Sequence, residues 1–250
     1  MRWLPALAML AVVSGSVRGD EISLIGWNGN GGRRDYAPIA ATRHDLYAMI
    51  DVRVSAVDTV VDAAKREKVL LDDRFEFLGE TGGALLWNAQ KFDVVEDMRP
   101  ERSRERLAMK FQEVTSGAQF WVVLVDFDRR WDESRKQVEA LDRWIETQTS
   151  PVLIFGNCGF DIDLNQFLVK PEWEPDHPVF TELKARGLHW VRPPEFEQLP
   201  RQVETLDYIG IANDSFREWK PVASIEKDAG AHPPITIVFT ASERSATSGQ

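Results

Sequence analysis

Residues 151–163 read PVLIFGNCGFDID. The apolar run PVLIF has the length and the flanking turn residues of a buried strand. It runs into a small polar turn, Gly156-Asn157-Cys158-Gly159, that is placed like an active-site turn but carries no acid. Just upstream, residues 133–147 (ESRKQVEALDRWIET) put Val138, Leu141, Trp144 and Ile145 on one side of a helix, an amphipathic face suited to packing on a sheet. Before that helix, residues 106–114 and 119–127 predict a hairpin closed by Thr115-Ser116-Gly117.

Working outward, residues 22–27 form a short apolar strand that ends in a glycine-rich loop, Asn28-Gly29-Asn30-Gly31-Gly32. Residues 44–52 (HDLYAMIDV) predict a strand and residues 54–65 (VSAVDTVVDAAK) a helix. Residues 83–87 and 92–95 alternate around Asn88-Ala89-Gln90, as a hairpin would. Towards the C-terminus, residues 177–186 suggest a helix stopped by Gly187, and residues 188–191, 205–212 and 234–240 suggest strands. Many linked strands with a few helices favour an α/β (α+β) fold, a four-layer αββα sandwich of two stacked mixed sheets flanked by helices.

The chain has 250 residues, 43% hydrophobic and 28% charged, which suits one sizeable core. Residues 1–19 have a basic start at Arg2, an apolar run over 4–13 and small residues before Asp20, the layout of a secretory signal peptide. The run is short for a stable membrane span; a buried strand or a retained anchor are the alternatives. Export would make the protein secreted or periplasmic, with a domain over 20–240 and a frayed polar tail, ASERSATSGQ, over 241–250. Without Arg2 and Arg18 the formal charge moves from −10 to −12, 28 basic against 40 acidic residues. Such a balance disfavours nucleic acid, whose phosphates reward a basic surface. A lone Cys158 excludes an internal disulfide.

In order, these segments resemble the endonuclease/exonuclease/phosphatase superfamily, the deoxyribonuclease-I-like fold. Ile25-Gly26-Trp27-Asn28 is similar to its opening strand, residues 84–87 with 92–95 to its central hairpin, Leu206-Asp207-Tyr208-Ile209 to its Ile-Asp-Tyr-Ile strand, and His232-Pro233-Pro234-Ile235 to its closing Ser-Asp-His-x-Pro-Val. The resemblance implies metal-dependent phosphoester hydrolysis, with Mg²⁺ or another divalent cation screening the phosphate and polarising the P–O bond. The implied partner is a phosphoester substrate, or an unknown binding partner if the chemistry is lost.

Carried over residue by residue, the resemblance gives catalytic positions at Asn28, Asn157 and His232, and a metal ligand at Asp51. Asn28 could contact a phosphate or a metal-bound water; capping its own loop is the alternative. Asp51 stands where the family has Glu, one methylene longer, so its carboxylate would fall back by about 1 Å, close to the tolerance of a catalytic constellation. Asn157 replaces the water-activating Asp, and an amide accepts no proton at neutral pH. Gly159 replaces a donor Asn, Ala231 the Asp before His232, and Val125-Asp126 a Thr-His pair. Any one acid or base is worth roughly 10² to 10⁴ in rate, so the implied protein is catalytically impaired or inactive. An alternative is an active phosphoesterase with a rebuilt acidic metal site at Asp51, Asp126 and Asp161, to which Asp128 and Asp163 could add; the bland alternative is solvated loop acids.

Cys158 reads as a small buried hydrophobe, a nucleophile being the other possibility. His44, His177 and His189 have no metal-ligand spacing. Trp121, Trp131, Trp144, Trp173, Trp190 and Trp219 read as core or rim.

Overall fold

The computed structural model describes residues 21–30, 39, 42–78, 81–98, 107–127, 131–157, 189–191, 207–212, 219–225 and 234–240. Two six-stranded sheets form the centre. The first has the order β11 (Val222–Ile225), β12 (Ile235–Thr240), β1 (Glu21–Asn28), β2 (Leu46–Val52), β4 (Thr81–Asn88) and β3 (Leu71–Leu78). The second has the order β5 (Phe92–Met98), β6 (Ala108–Glu113), β7 (Gln119–Asp126), β8 (Val152–Asn157), β10 (Asp207–Ala212) and β9 (His189–Val191). Both are mixed: β1 and β2 run parallel, as do β7 and β8, among antiparallel neighbours.

Period-two alternation decides which side chains enter the space between the sheets. In β1, Ile22 and Leu24 join the inter-sheet core, while Ile25 and Trp27 face the other way. There they pack with Tyr47, Met49 and Val52 of β2 against Ala56, Val57 and Val60 of α1 (Val54–Arg66), an apolar stripe at helical spacing. On the outer side of the second sheet, Val138, Leu141 and Ile145 of α2 (Trp131–Glu146) are buried, and Trp144 meets Trp121 edge-on at 5.1 Å. Helix, sheet, sheet, helix is the four-layer αββα sandwich that the pattern of elements predicts.

The two ends of the sandwich differ. At the end holding the starts of β1, β2 and β7, Trp87, Phe92, Phe111, Phe120, Trp219 and Phe239 form a continuous aromatic cluster, with Trp219 stacked on Phe239 at 4.8 Å. Lys91 lies beside it, donating to Asp45 Oδ2 at 2.8 Å and to the Glu21 carbonyl.

One expectation is corrected. Residues 83–87 and 92–95 are not a hairpin: β4 belongs to the first sheet and β5 to the second, so the link through Asn88-Ala89-Gln90 carries the chain from one sheet to the other. Asn88 Oδ1 accepts from the Gln90 amide as in a hairpin turn, and alternation marks two strands without saying which partner each takes. The antiparallel partner of β4 is β3, paired from Leu71↔Asn88 to Leu78↔Thr81.

Residues 1–19, 158–188 and 241–250 lie outside the described residues, and with them the expected signal peptide, the helix over 177–186, Cys158 and the polar tail. Among the described residues no helix is long and apolar enough to cross a membrane.

Candidate functional site

Two contacts set the sheets against each other. A β-carbon on Gly26 would stand 2.2 Å from Cδ2 of Phe155, and one on Gly83 would stand 3.1 Å from Cδ1 of Leu124. These four positions therefore face the inter-sheet space. Two residues from each, on the same side and towards one end of the sandwich, stand Asn28 in β1, Asn157 in β8, Thr81 in β4 and Asp126 in β7. All four lie at the end opposite the aromatic cluster, so β1, β7 and β8 end, and β4 begins, in polar residues around one mouth.

On the first sheet, Asn28 is 4% exposed, and its Oδ1 accepts from the Asn30 amide at 2.9 Å. The loop-capping role is thus made. Asp51 owes its direction to a β-bulge. Met49 pairs with Ala84 and Val52 with Gly82, so Ile50 and Asp51 together oppose the single residue Gly83. Without the extra residue Asp51 would follow Tyr47 and Met49 onto the face beneath α1. Instead it takes φ +52°, and its Oδ1 accepts from Thr81 Oγ1 at 2.7 Å, on the inter-sheet side.

On the second sheet, Asp126 is the register partner of Asn157, and Phe127 N–H donates to the Asn157 carbonyl at 2.9 Å. Asn157 is in turn the register partner of Asp207 in β10. Asp126, Asn157 and Asp207 therefore stand in one row across three adjacent strands. Sequence reading treats Asp207 only as part of a familiar strand; the signal that places it here is cross-strand register, which needs partners to be known.

His232 lies outside the described residues, but β12 begins with Ile235 paired to Gly26, so the chain enters that strand at the mouth. Asp128, Gly159, Asp161, Asp163 and Ala231 also lie outside the described residues. His44 sits away from the mouth. It lines a cavity of about 340 Å³ with Arg43, Tyr47, Ala64, Arg66 and Glu67, below the last turn of α1, and Arg43 pairs with Glu67 there. Burial holds its imidazole down at about 4, against the opposing pull of the Asp45 charge.

A protein of the endonuclease/exonuclease/phosphatase family from Bacteroides thetaiotaomicron superposes with a TM-score of 0.64 over 89% of this chain and 98% of its own, at 12% identity. The fold is that of the endonuclease/exonuclease/phosphatase proteins. The human Nocturnin catalytic domain with bound sulfate is similar at a TM-score of 0.60, 14% identity, over 88% of this chain and 94% of its own. A mannosyl-6-phosphatase from Bacteroides thetaiotaomicron gives 0.59 at 12% identity, over 88% and 99%. No protein-family model matches the chain, and none of the curated proteins does.

The donors at the mouth suit a hard divalent cation in kind: Asp51 and Asp126 offer carboxylate oxygens. Among the described residues no three acidic, histidine or cysteine side chains gather as a metal-holding group.

Proposed function

We propose that this chain is an exported phosphoester-binding protein built on the phosphoesterase fold, with hydrolysis impaired or lost. The observation that carries this is Asn157. It ends β8 on the inter-sheet side, in register with Asp126, where an amide can orient a substrate by hydrogen bonds but cannot take a proton from water. Asn28 would donate to a phosphate oxygen from its buried place at the end of β1. Asp126 repels phosphate unless a cation intervenes. A divalent cation, when bound, would screen the phosphate charge; Asp51 and Asp126 are the side chains that would hold it.

A second reading has its own support. The bulge turns Asp51 to the side on which Asp126 stands, which favours a rebuilt acidic site, with Asp161 as a further ligand, in a working phosphoesterase. Assays of a generic phosphodiester and of plasmid DNA with Mg²⁺, Mn²⁺ or Ca²⁺, and with chelator, separate the two. The first reading expects no chelator-sensitive turnover, together with calorimetric binding of a phosphate monoester or diester that Asn28→Ala weakens. Chelator-sensitive turnover abolished by Asp51→Ala would replace it with the second. If neither phosphoester nor divalent cation binds, both give way to a partner-binding module. Export is checked by N-terminal sequencing of the secreted product, expected to start near Asp20.

A further inference from the structure

We propose that the cavity below the last turn of α1 is a second binding site, separate from the mouth, for a small monocarboxylate with an apolar body. The cavity lies where β2 begins, at the other end of that strand from Asp51. Its volume of about 340 Å³ equals roughly eleven waters at liquid density, room for a small organic molecule. The wall is fixed before a ligand arrives: the Tyr47 hydroxyl donates to the Thr42 carbonyl at 2.9 Å and accepts from the His44 N–H at 3.2 Å. The end of α1 is closed as well. Glu67 N–H and Val69 N–H donate to the Ala64 carbonyl, and Lys68 N–H to that of Lys65, each at 3.0 Å. The helix carbonyls that would draw a cation there are taken, and side chains set the polarity of the cavity.

Those side chains point to one class of ligand. His44 lines the cavity, and its Nδ1 is enclosed with no hydrogen-bond partner, a state that buried polar atoms rarely keep. An edge-on contact with Tyr47 at 5.8 Å leaves the ring able to turn about its Cβ–Cγ bond and present an N–H. Burial holds this imidazole neutral at pH 7, so it offers a donor without a charge. The charge comes from arginine: Arg43 and Arg66 line the cavity with one acid, Glu67, in a chain of net charge −10. Glu67 engages Arg43. Arg66 gives its Nε to the Asp62 carbonyl at 3.3 Å, and among the described residues its terminal nitrogens have no partner. One cation is therefore left for one carboxylate, which a guanidinium grips with paired N–H groups. A dianionic phosphate would leave a charge facing Glu67. Ala63, Ala64 and Val69 complete the lining without a polar side chain, a surface for an apolar body.

The experiment is calorimetric titration of the full chain with benzoate, with benzamide as the uncharged match and inorganic phosphate as a second anion. Benzoate is expected to bind one to one and to shift the ring ¹⁵N resonances of His44, assigned by their loss in His44→Phe. Arg66→Gln is expected to weaken benzoate about tenfold, the loss of one charged hydrogen-bonding partner. Ala64→Leu, which fills the cavity and leaves every charge in place, should abolish binding; if that chain fails to fold, Arg66→Gln on the exposed end of the helix still decides. Thermal unfolding of each variant shows which ones fold. No benzoate binding by the unaltered chain overturns the proposal, as does equal affinity in Arg66→Gln. Benzamide bound as tightly as benzoate, or phosphate bound more tightly through Arg66, overturns the monocarboxylate assignment. None of these outcomes bears on phosphoester binding at the mouth.

Discussion

Gly26 lies against the ring of Phe155, so close that a β-carbon on the glycine would stand 2.2 Å from Cδ2 and 2.3 Å from Cε2. The first and second sheets are in direct contact there, one step inside the polar mouth. Gly26→Ala must push the ring aside within a filled core, and we expect a loss of about 1–3 kcal/mol in urea unfolding. Phe155→Leu, added to it, should recover part of that loss. Additive effects of the two changes would argue against the contact.

Gly156 precedes Asn157 with φ +153°, and a β-carbon there would fall 1.8 Å from the Val125 carbonyl oxygen. Backbone stands in the way, so no rotamer relieves it. Gly156→Ala is expected to cost about 3 kcal/mol or more, exceeding Gly26→Ala. It should also speed amide exchange at Phe127, whose N–H donates to the Asn157 carbonyl. Denaturant midpoints and exchange rates of the two variants check both statements.

Asp45 collects Ser23 N–H at 2.9 Å, Ser23 Oγ at 3.0 Å and Lys91 Nζ at 2.8 Å, with only 20% of its side chain exposed. Lys91→Met leaves a half-enclosed carboxylate with one partner fewer, at a cost of about 1–3 kcal/mol. A double-mutant cycle with Asp45→Asn should return a positive coupling energy; a value near zero would show that the pair contributes nothing.

His44 makes stability depend on pH. The imidazole titrates at about 4 in the folded chain and near its ordinary 6.5 when unfolded. Between those values the unfolded state binds more protons, so stability rises with pH. The contribution is complete above 6.5 and is lost as pH falls through that window towards 4, by up to about 3 kcal/mol. His44→Phe keeps a ring edge-on to Tyr47 and removes the titration, so its unfolding midpoint should vary less between pH 7 and pH 4.5 than that of the unaltered chain.

Much of the architecture can be read from the sequence because it follows from local period. Val138, Leu141 and Ile145 repeat at helical spacing, and their burial in α2 follows. Residues 54–65 behave likewise in α1. Pairing is legible where a tight turn joins the partners, as Thr115-Ser116-Gly117 joins β6 to β7, and is hidden elsewhere. β3 (LDDRFEFL) gives no strand signal because charges interrupt its apolar pattern, which an edge strand tolerates, and β11 is too short to give a pattern. Asn28, Asp126 and Asn157 were legible as residues at strand ends, and the structure brings their strand ends to one mouth. The bulge at Asp51 and the row from Asp126 to Asp207 were not legible, because each is a relation between strands.

The short link from β4 to β5 has a mechanical consequence. Asn88 and Phe92 are joined covalently across the two sheets beside the aromatic cluster, and Lys91 ties the same pole to Asp45 and Glu21. The opposite pole has no such strap among the described residues; polar side chains and single contacts such as Gly26 on Phe155 meet there. The aromatic pole is therefore where both the chain itself and a salt bridge hold one sheet to the other.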